Sequence, residues 1–203
     1  MSTDNRFERA IALFDAANAE DPRMDHDHGE AVPRELLYAR RMSEMLERFA
    51  PEAPEAVKLA VRAQHVQRWK IARDAYPMDR TGYLRWRARL YEFHADAAGG
   101  LMKAAGYDDE MIQRVQDAVG KKGLKVNPET QMLEDVSALV FLEHYVLEFA
   151  GHNPDYTEEK WVDILRKTWR KMSGGAHDFV RCGKIELPAA LAPLIEKATT
   201  CAS

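Results

Sequence analysis

The predicted fold follows from one stretch of the sequence, DRTGYLRWRARLYEFHADAAGGLMKAAG, which covers residues 79–106. Its apolar residues recur every three or four positions, as they do on the buried face of one long helix. They are Tyr83, Trp86, Leu90, Phe93, Ala97 and Leu101. Asp79 is suited to cap the first turn, and Gly106 to end the last one. The stretch therefore predicts a helix from Arg80 to Ala105.

The same helical spacing recurs on both sides of this stretch, and no run alternates strictly as a half-buried strand would. Further helices are predicted at about residues 5–20, from Pro33 onwards, from Pro51 or Pro54 to about Trp69, and over 108–120, 128–151, 158–172 and the tail from Pro188. The segment DPRMDHDHGEAV, residues 21–32, is predicted to be a polar loop.

These helices predict an all-α protein, a single-domain bundle of about seven or eight helices over residues 1–203. Residues 1–32 would form an N-terminal helix and the polar loop, residues 33–172 the core, and residues 173–203 a C-terminal loop and helix. A chain of 203 residues can bury a full core without disulfides or metal clips. The helix over 128–151 is apolar nearly all round from Val136 to Leu142, so we expect it to be the most buried.

Composition narrows the location and the partners. The 29 basic and 33 acidic residues give a net charge of -4, which offers no reason to expect nucleic-acid binding. The N-terminal residues MSTDNRFERA are charged where a signal peptide is apolar, and no apolar run has the roughly 20 residues that cross a membrane. Cys182 and Cys201 lie in no disulfide or zinc pattern. We expect a cytoplasmic protein.

Two histidines are predicted to lie at the edge of the core. In AQHVQRW, residues 63–69, His65 ends an apolar helical segment, and Trp69 follows one turn later. His94 lies beside the apolar face of the long helix, one turn beyond Leu90. A lone inward histidine is most simply a core residue that binds a backbone carbonyl, but two of them at one edge predict a site.

Carboxylates and arginines supply the other candidate site residues. Glu134 and Asp135 begin the most buried part of their helix, where a carboxylate needs an arginine or a metal ion as partner. Arginines alternate with aromatic residues between Arg68 and Tyr91, a mixture that suits a phosphate or carboxylate ligand. Within this run Arg68 and Arg80 are the best placed for a site. The others fit a solvated helix face equally well.

A resemblance to a known family is carried by four blocks: PRELLYARRMSEMLERFAPEA, AVRAQHVQRWKIARDAYPMDRTGYLRWR, LEDVSALVFLEHY and ILRKTWRKMS. Together they resemble the uncharacterised family built on the domain of unknown function 4202. The resemblance covers nearly the whole chain, and the RAQH..RW and YPMDR.GYL.WR patterns are specific. That family supplies no agreed activity.

More distantly, the layout is similar to that of the HD-domain metal hydrolases, and this resemblance implies an HD-like helical core. Those enzymes hold a metal with a histidine on one helix, a His-Asp pair ending the next, and an aspartate on a later buried helix. His65 matches the histidine of the pair and Asp135 the last aspartate, but the partner aspartate falls at Val66 and the first histidine near Tyr38. Three alternatives stay open: a rearranged metal site that recruits His94 or Glu134, a metal-free pocket, or a fold that only looks similar.

The leading prediction is a metal-dependent, phosphohydrolase-like enzyme that acts on a small anionic or nucleotide-like substrate. His65, His94 and Asp135 would hold a divalent ion, Fe, Mn or Zn, while Glu134 acts as base. Arg68 and Arg80 would neutralise the anion. The ligand pocket would be completed by Trp69, Tyr38, Arg41 and Tyr83.

Two other functions stay open. The same ligands with a redox metal would make an HD-type oxygenase. A non-enzymatic binding or regulatory module would keep the fold and lose the metal site. In each case the expected partner is a small anionic molecule, neither nucleic acid nor a membrane is expected, and a homodimer is left open.

Overall fold

The computed structural model describes the backbone of residues 3–200 and the side chains of residues 5–198. Over this range the chain forms ten α-helices and one two-stranded hairpin. The elements are α1 (Thr3–Ala19), β1 (Met24–Asp27), β2 (Glu30–Pro33), α2 (Arg34–Phe49), α3 (Glu55–Ala63), α4 (Arg80–Ala105), α5 (Asp109–Val119), α6 (Pro128–Val140), α7 (Val146–Gly151), α8 (Glu158–Lys171), α9 (Gly174–Arg181) and α10 (Ala192–Thr200). None of these helices is long and apolar enough to span a membrane. The prediction of an all-α fold is confirmed.

The chain divides between Leu133 and Glu134 into two compact units. In the first unit α4 packs against α5 and α1, while α3 packs against α2 and α5. Long apolar side chains from all five of these helices are fully buried and form the core; they are Phe14, Met42, Met45, Leu59, Val61, Met102 and Val115. The predicted single domain over residues 1–203 stays a prediction.

The second unit contains the rest of α6 and the helices α7 to α10, with α8 packed against α10. Trp161, Leu165 and Trp169 form the buried face of α8. Cys182 follows α9 as an exposed free thiol, and Cys201 lies outside the described residues.

The segment predicted to be a polar loop is an antiparallel hairpin. Asp25 pairs with Val32 and Asp27 with Glu30, so His28 and Gly29 form a two-residue turn. Both turn residues have positive φ, 49° and 87°, as a tight hairpin turn with the twist of the strands requires. The prediction was wrong because strands of four residues in an exposed ribbon show no apolar alternation. The hairpin ends directly at α2, whose first N–H, that of Arg34, donates to the carbonyl of Arg23 at 2.9 Å.

The helix predicted to reach Trp69 ends at Ala63. The chain then turns through Gln67, which has a left-handed φ of 54°, and residues 68–70 form one short 3-10 turn. The spacing of apolar residues could not predict that α3 ends at Ala63. Side chains from distant parts of the sequence bind the backbone of the turn and replace helical hydrogen bonds.

The predicted number of helices was too low for two local reasons. The helix predicted over 128–151 is interrupted by a π-helical turn, Phe141–Tyr145, which separates α6 from α7. A loop was predicted from residue 173 onwards, whereas Gly174 begins α9. Ser173 caps that helix, since its hydroxyl accepts the N–H of Ala176 at 3.3 Å.

The helix α4 has the predicted bounds, and Asp79 caps it by accepting the N–H of Gly82 at 2.7 Å. Its buried face is rotated by about one position from the predicted one. Leu90, His94, Ala98 and Met102 are buried, whereas Tyr83 is 41% exposed. His94 therefore lies on the core face of the helix and not beside it.

Two glycines of α4 predict opposite effects on stability. A Cβ on Gly82 would overlap the carbonyl oxygen of Pro77, whereas one on Gly100 finds no heavy atom within 4 Å outside the backbone of its own helix. We expect Gly100→Ala to raise the free energy of unfolding by about 0.5–1 kcal/mol, because alanine restricts the unfolded chain. We expect Gly82→Ala to lower it by about 1–3 kcal/mol. Urea denaturation measures both, and equal effects would contradict the account of how α4 begins.

Candidate functional site

A carboxylate is buried under the first turn of α2. Glu35 is 4% exposed, and its Oε1 accepts a hydrogen bond from Nη2 of Arg23 at 2.9 Å. Asp21 is also buried; it accepts the backbone N–H of Glu35 at 3.2 Å and binds the guanidinium of Arg23 through both oxygens at 3.1 Å. Because one arginine serves two buried carboxylates, Glu35 has room for a second cationic or N–H partner.

His65 supplies that partner. Its Nδ1 lies 3.5 Å from Oε2 of Glu35, and its Nε2 lies 3.0 Å from Nη1 of Arg68. A guanidinium can only donate, so Nε2 is the acceptor, and in the neutral ring the proton sits on Nδ1, facing Glu35. The ring of Tyr38 stacks on the imidazole with centroids 4.1 Å apart. Both ring nitrogens of His65 and one face of its imidazole are therefore in contact with other side chains.

Arg68 is fixed from a second side by an aromatic ring. Its guanidinium carbon lies 5.0 Å from the ring centroid of Trp86, within the range of a cation–π interaction. The indole N–H of Trp86 donates to the carbonyl of Ile71 at 3.0 Å, which anchors the ring. Arg68 therefore lies in one defined place beside His65.

Burial and nearby positive charges determine the protonation of His65. Burial lowers the pKa of His65 well below its usual range, and four cations lower it further: Arg68, Lys121, Arg87 and Arg23. We call these four residues the cationic cluster. Burial raises the pKa of Glu35, an effect that Arg68 and Arg23 oppose. The imidazole is consequently neutral at neutral pH, next to a paired carboxylate and an excess of positive charge.

His94 lies beside this group, on α4. Its ring centroid is 5.8 Å from that of His65, and the residue is 2% exposed. Nδ1 lies 2.9 Å from the carbonyl oxygen of Val66, to which it donates. Nε2 is buried and has no hydrogen-bond partner among the described residues. Burial, followed by the proximity of His65, lowers the pKa of His94 to about 3.

The turn that carries His65 and Arg68 is held by two hydrogen bonds from other helices. The carbonyl of Val66 accepts from His94, and the N–H of Gln67 donates to Oδ1 of Asn18 at 3.0 Å. Asn18 is fully buried in α1. The left-handed conformation of Gln67, uncommon for a residue with a side chain, is thus fixed by tertiary contacts.

The structure brings four of the predicted site residues together: His65, His94, Arg68 and Tyr38. Others lie apart from them. Arg41 donates to Asp27 of the hairpin at 2.8 Å, and Tyr83 accepts from Arg87 at 3.4 Å on the surface of α4. Arg80 is exposed in the first turn of α4, and Trp69 is half-buried in the 3-10 turn. The roles assigned to these residues stay predictions.

Glu134 and Asp135 belong to the second unit. Both oxygens of Asp135 are engaged by Ser173, at 2.7 Å by its N–H and at 2.6 Å by its hydroxyl. Glu134 lies 3.4 Å from Nζ of Lys171. Asp135 thus stabilises the start of α9, and the metal-ligand and base roles of the two carboxylates stay predictions.

The side chains of the site can be compared with the ligands that a metal ion requires. Over the described part of the chain, no three His, Cys, Asp or Glu side chains are grouped as metal ligands. A cation at His65 would have to displace Arg68 from Nε2 and would face the cationic cluster. The local positive charge favours an anion over a cation, and the predicted divalent ion stays a prediction.

Sequence reasoning missed Glu35, Asp21 and Arg23. An acidic residue in the first turn of a helix is common, because it interacts favourably with the helix dipole, so Glu35 carried no distinct signal. Arg23 and Asp21 lie in the segment predicted to be a loop. Recognising His28-Gly29 as a hairpin turn would have brought Arg23 back toward Glu35.

Comparisons with known proteins give a family but no activity. The sequence matches the model described as "Domain of unknown function (DUF4202)" over residues 8–195. No curated protein and no solved structure is significantly similar to it. The function must therefore be argued from the site.

The histidines predict a pH dependence of stability. The pKa of His94 is about 3 in the folded protein, against an ordinary value of 6.5, so below about pH 6.5 the unfolded chain binds a proton that the folded chain does not. The free energy of unfolding should fall as the pH is lowered, by about 1.4 kcal/mol per pH unit for this one group once the pH is well below that value.

The variant His94→Asn keeps a donor for the carbonyl of Val66 and removes the titrating ring. Its free energy of unfolding should depend less steeply on pH than that of the wild type, as measured by urea denaturation between about pH 7.5 and about pH 5. Parallel pH curves for the two proteins would show that His94 does not titrate differently on folding.

Proposed function

This chain belongs to the family of the domain of unknown function DUF4202, and from its site we propose that it binds a small phosphate-bearing anion at Glu35, His65 and Arg68 and hydrolyses it. One observation carries the proposal: a neutral imidazole is held between a buried carboxylate and an arginine, within a cluster of four cations. The imidazole and the carboxylate suit acid–base chemistry, and the cations suit an anionic substrate.

The charges favour binding of a phosphate group. The cationic cluster carries four positive charges, against the two carboxylates of Glu35 and Asp21, which share Arg23. Guanidinium groups bind phosphate through two parallel N–H donors, and the guanidinium of Arg68 lies beside the ring of Trp86. Like charges repel one another, so an entering phosphate would relieve the mutual repulsion of the four cations.

The hydrolytic step uses His65 as the base. When Arg68 turns from His65 to the phosphate, Nε2 is free to accept a proton from a water molecule. The water oxygen bonds to phosphorus while the bond to the leaving oxygen breaks, and the imidazolium then returns the proton to that oxygen. Glu35 faces Nδ1 and stabilises the imidazolium, and the negative charge of the substrate raises the pKa of His65, which burial and the cationic cluster lower.

We also propose that the first unit derives from an HD-like core whose ligands have changed. Two residues next to His65 support this proposal. Tyr38, at the position where an HD enzyme would carry its first histidine, stacks directly on His65. Val66, at the position of the partner aspartate, is fully buried and contributes only its backbone carbonyl, to His94.

Location and assembly are proposed on narrower grounds. We place the protein in the cytoplasm, where reducing conditions keep an exposed thiol such as Cys182 free. A homodimer stays a prediction, and light scattering of the purified protein measures the oligomeric state.

Phosphate binding should depend on Arg68. We expect Arg68→Met to weaken the binding of inorganic phosphate, measured by isothermal titration calorimetry, by about 10- to 100-fold, because a charge-assisted hydrogen bond is lost. The matched control is Arg85→Met, which removes one exposed charge from α4 and should change the affinity by less than about twofold. Absence of phosphate binding by the wild type would refute the proposed function.

Turnover should depend on His65. With p-nitrophenyl phosphate as substrate, His65→Gln should lower kcat by about 10²- to 10⁴-fold, because the base is gone, while KM changes little. Circular dichroism checks that the variant is folded. Phosphate binding without turnover in the wild type would favour a non-enzymatic binding module.

A divalent metal is the second candidate, favoured by the buried Nε2 of His94, for which the structure describes no partner. We expect protein purified without added metal to contain far less than one equivalent of Fe, Mn or Zn by elemental analysis, because the surrounding charge repels cations. A stoichiometric metal that disappears in both His65→Ala and His94→Asn would replace the scheme above with a metal-dependent one.

A further inference from the structure

His94 has an unequal pair of ring nitrogens. Nδ1 donates to the carbonyl of Val66, so in the neutral ring Nε2 carries the lone pair and can only accept. The residue is 2% exposed, and Nε2 has no hydrogen-bond partner between residues 3 and 200. An unpaired acceptor in a core is unfavourable, and native proteins rarely keep one without a purpose.

The position of the ring connects this acceptor with the anion site. The centroid of His94 lies 5.8 Å from that of His65, and the charges of Arg68 and Glu35 both reach the His94 ring. A phosphate bound by Arg68 would therefore place the neighbouring atoms of the substrate near His94. The movement of Arg68 from His65 to the phosphate also changes the surroundings of both imidazoles.

We propose that the substrate carries, next to its phosphate, a neutral hydroxyl group that donates a hydrogen bond to Nε2 of His94. This proposal rests on the proposed function and narrows its substrate class to hydroxylated organic phosphates, such as polyol or sugar phosphates. A hydroxyl fits better than an ammonium group, because the cationic cluster disfavours a further positive charge. It also fits better than a plain alkyl chain, which would leave the acceptor unpaired.

The test compares two ligands that differ only in hydroxyl groups, glycerol 3-phosphate and propyl phosphate. For the wild type, isothermal titration calorimetry should give about tenfold tighter binding of glycerol 3-phosphate, since the propyl compound leaves Nε2 unpaired. In His94→Asn the amide reaches only the position of Nδ1, so the ratio of the two affinities should fall to about one. In His94→Gln the amide reaches the position of Nε2, and part of the preference should return.

The outcomes separate this inference from the proposed function. Equal affinity of the wild type for both ligands overturns the role of His94 and leaves phosphate binding intact. A preference that persists unchanged in His94→Asn also overturns that role. Failure of both ligands to bind refutes the proposed function itself. Zn²⁺ that binds the wild type stoichiometrically but not His94→Asn, and that removes the hydroxyl preference, would assign Nε2 to a metal ion.

Discussion

The carboxylate of Glu35 is the constraint on which the arrangement of the first unit depends. At 4% exposure an unpaired carboxylate would cost several kcal/mol, so the fold must bring cationic and N–H groups to it. Arg23 arrives from the hairpin on one side, and His65 with Arg68 arrives from the turn after α3 on the other. The hairpin therefore returns the chain so that Arg23 lies against α2.

The charges around His65 would make the basicity of its imidazole depend on whether an anion is bound. In the free protein burial and the nearby cations hold His65 neutral, and Arg68 occupies the nitrogen that would take a proton. In the proposed function a bound anion would remove both restraints, because it would draw Arg68 away and offset the positive field. Substrate binding would thus prepare the base, and the same group would stay inactive toward water when no substrate is present.

Much of the fold could be read from the sequence because helices are encoded locally. The bounds of α4 followed from Asp79, Gly106 and the spacing between them. His65, His94 and Arg68 could be selected because polar residues on an apolar face are conspicuous. These three residues lie together in the structure, within one turn and the facing helix.

The features that the sequence did not predict depend on contacts between distant residues, which produce no periodic pattern in the sequence. Glu35 resembled an ordinary first-turn carboxylate, because its partner Arg23 meets it only through the hairpin. Asp135 was selected for its burial, but its partner Ser173 caps α9, a helix that was not predicted because two glycines form its first turn. The end of α3 depends on Asn18 and His94, which no local pattern near Gln67 could indicate.

The turn after α3 also bears on when the site can form during synthesis. Gln67 is bound by Asn18 from 49 residues earlier, and Val66 by His94 from 28 residues later. Contacts between distant segments form only after the loops between them have closed, so they follow the local helices in time. A nascent chain that ends before α4 can build α1, α2 and α3 but lacks the donor that holds Val66. The geometry of His65 and Arg68 is therefore completed late, and an unfinished chain would not carry the proposed anion site in its final form.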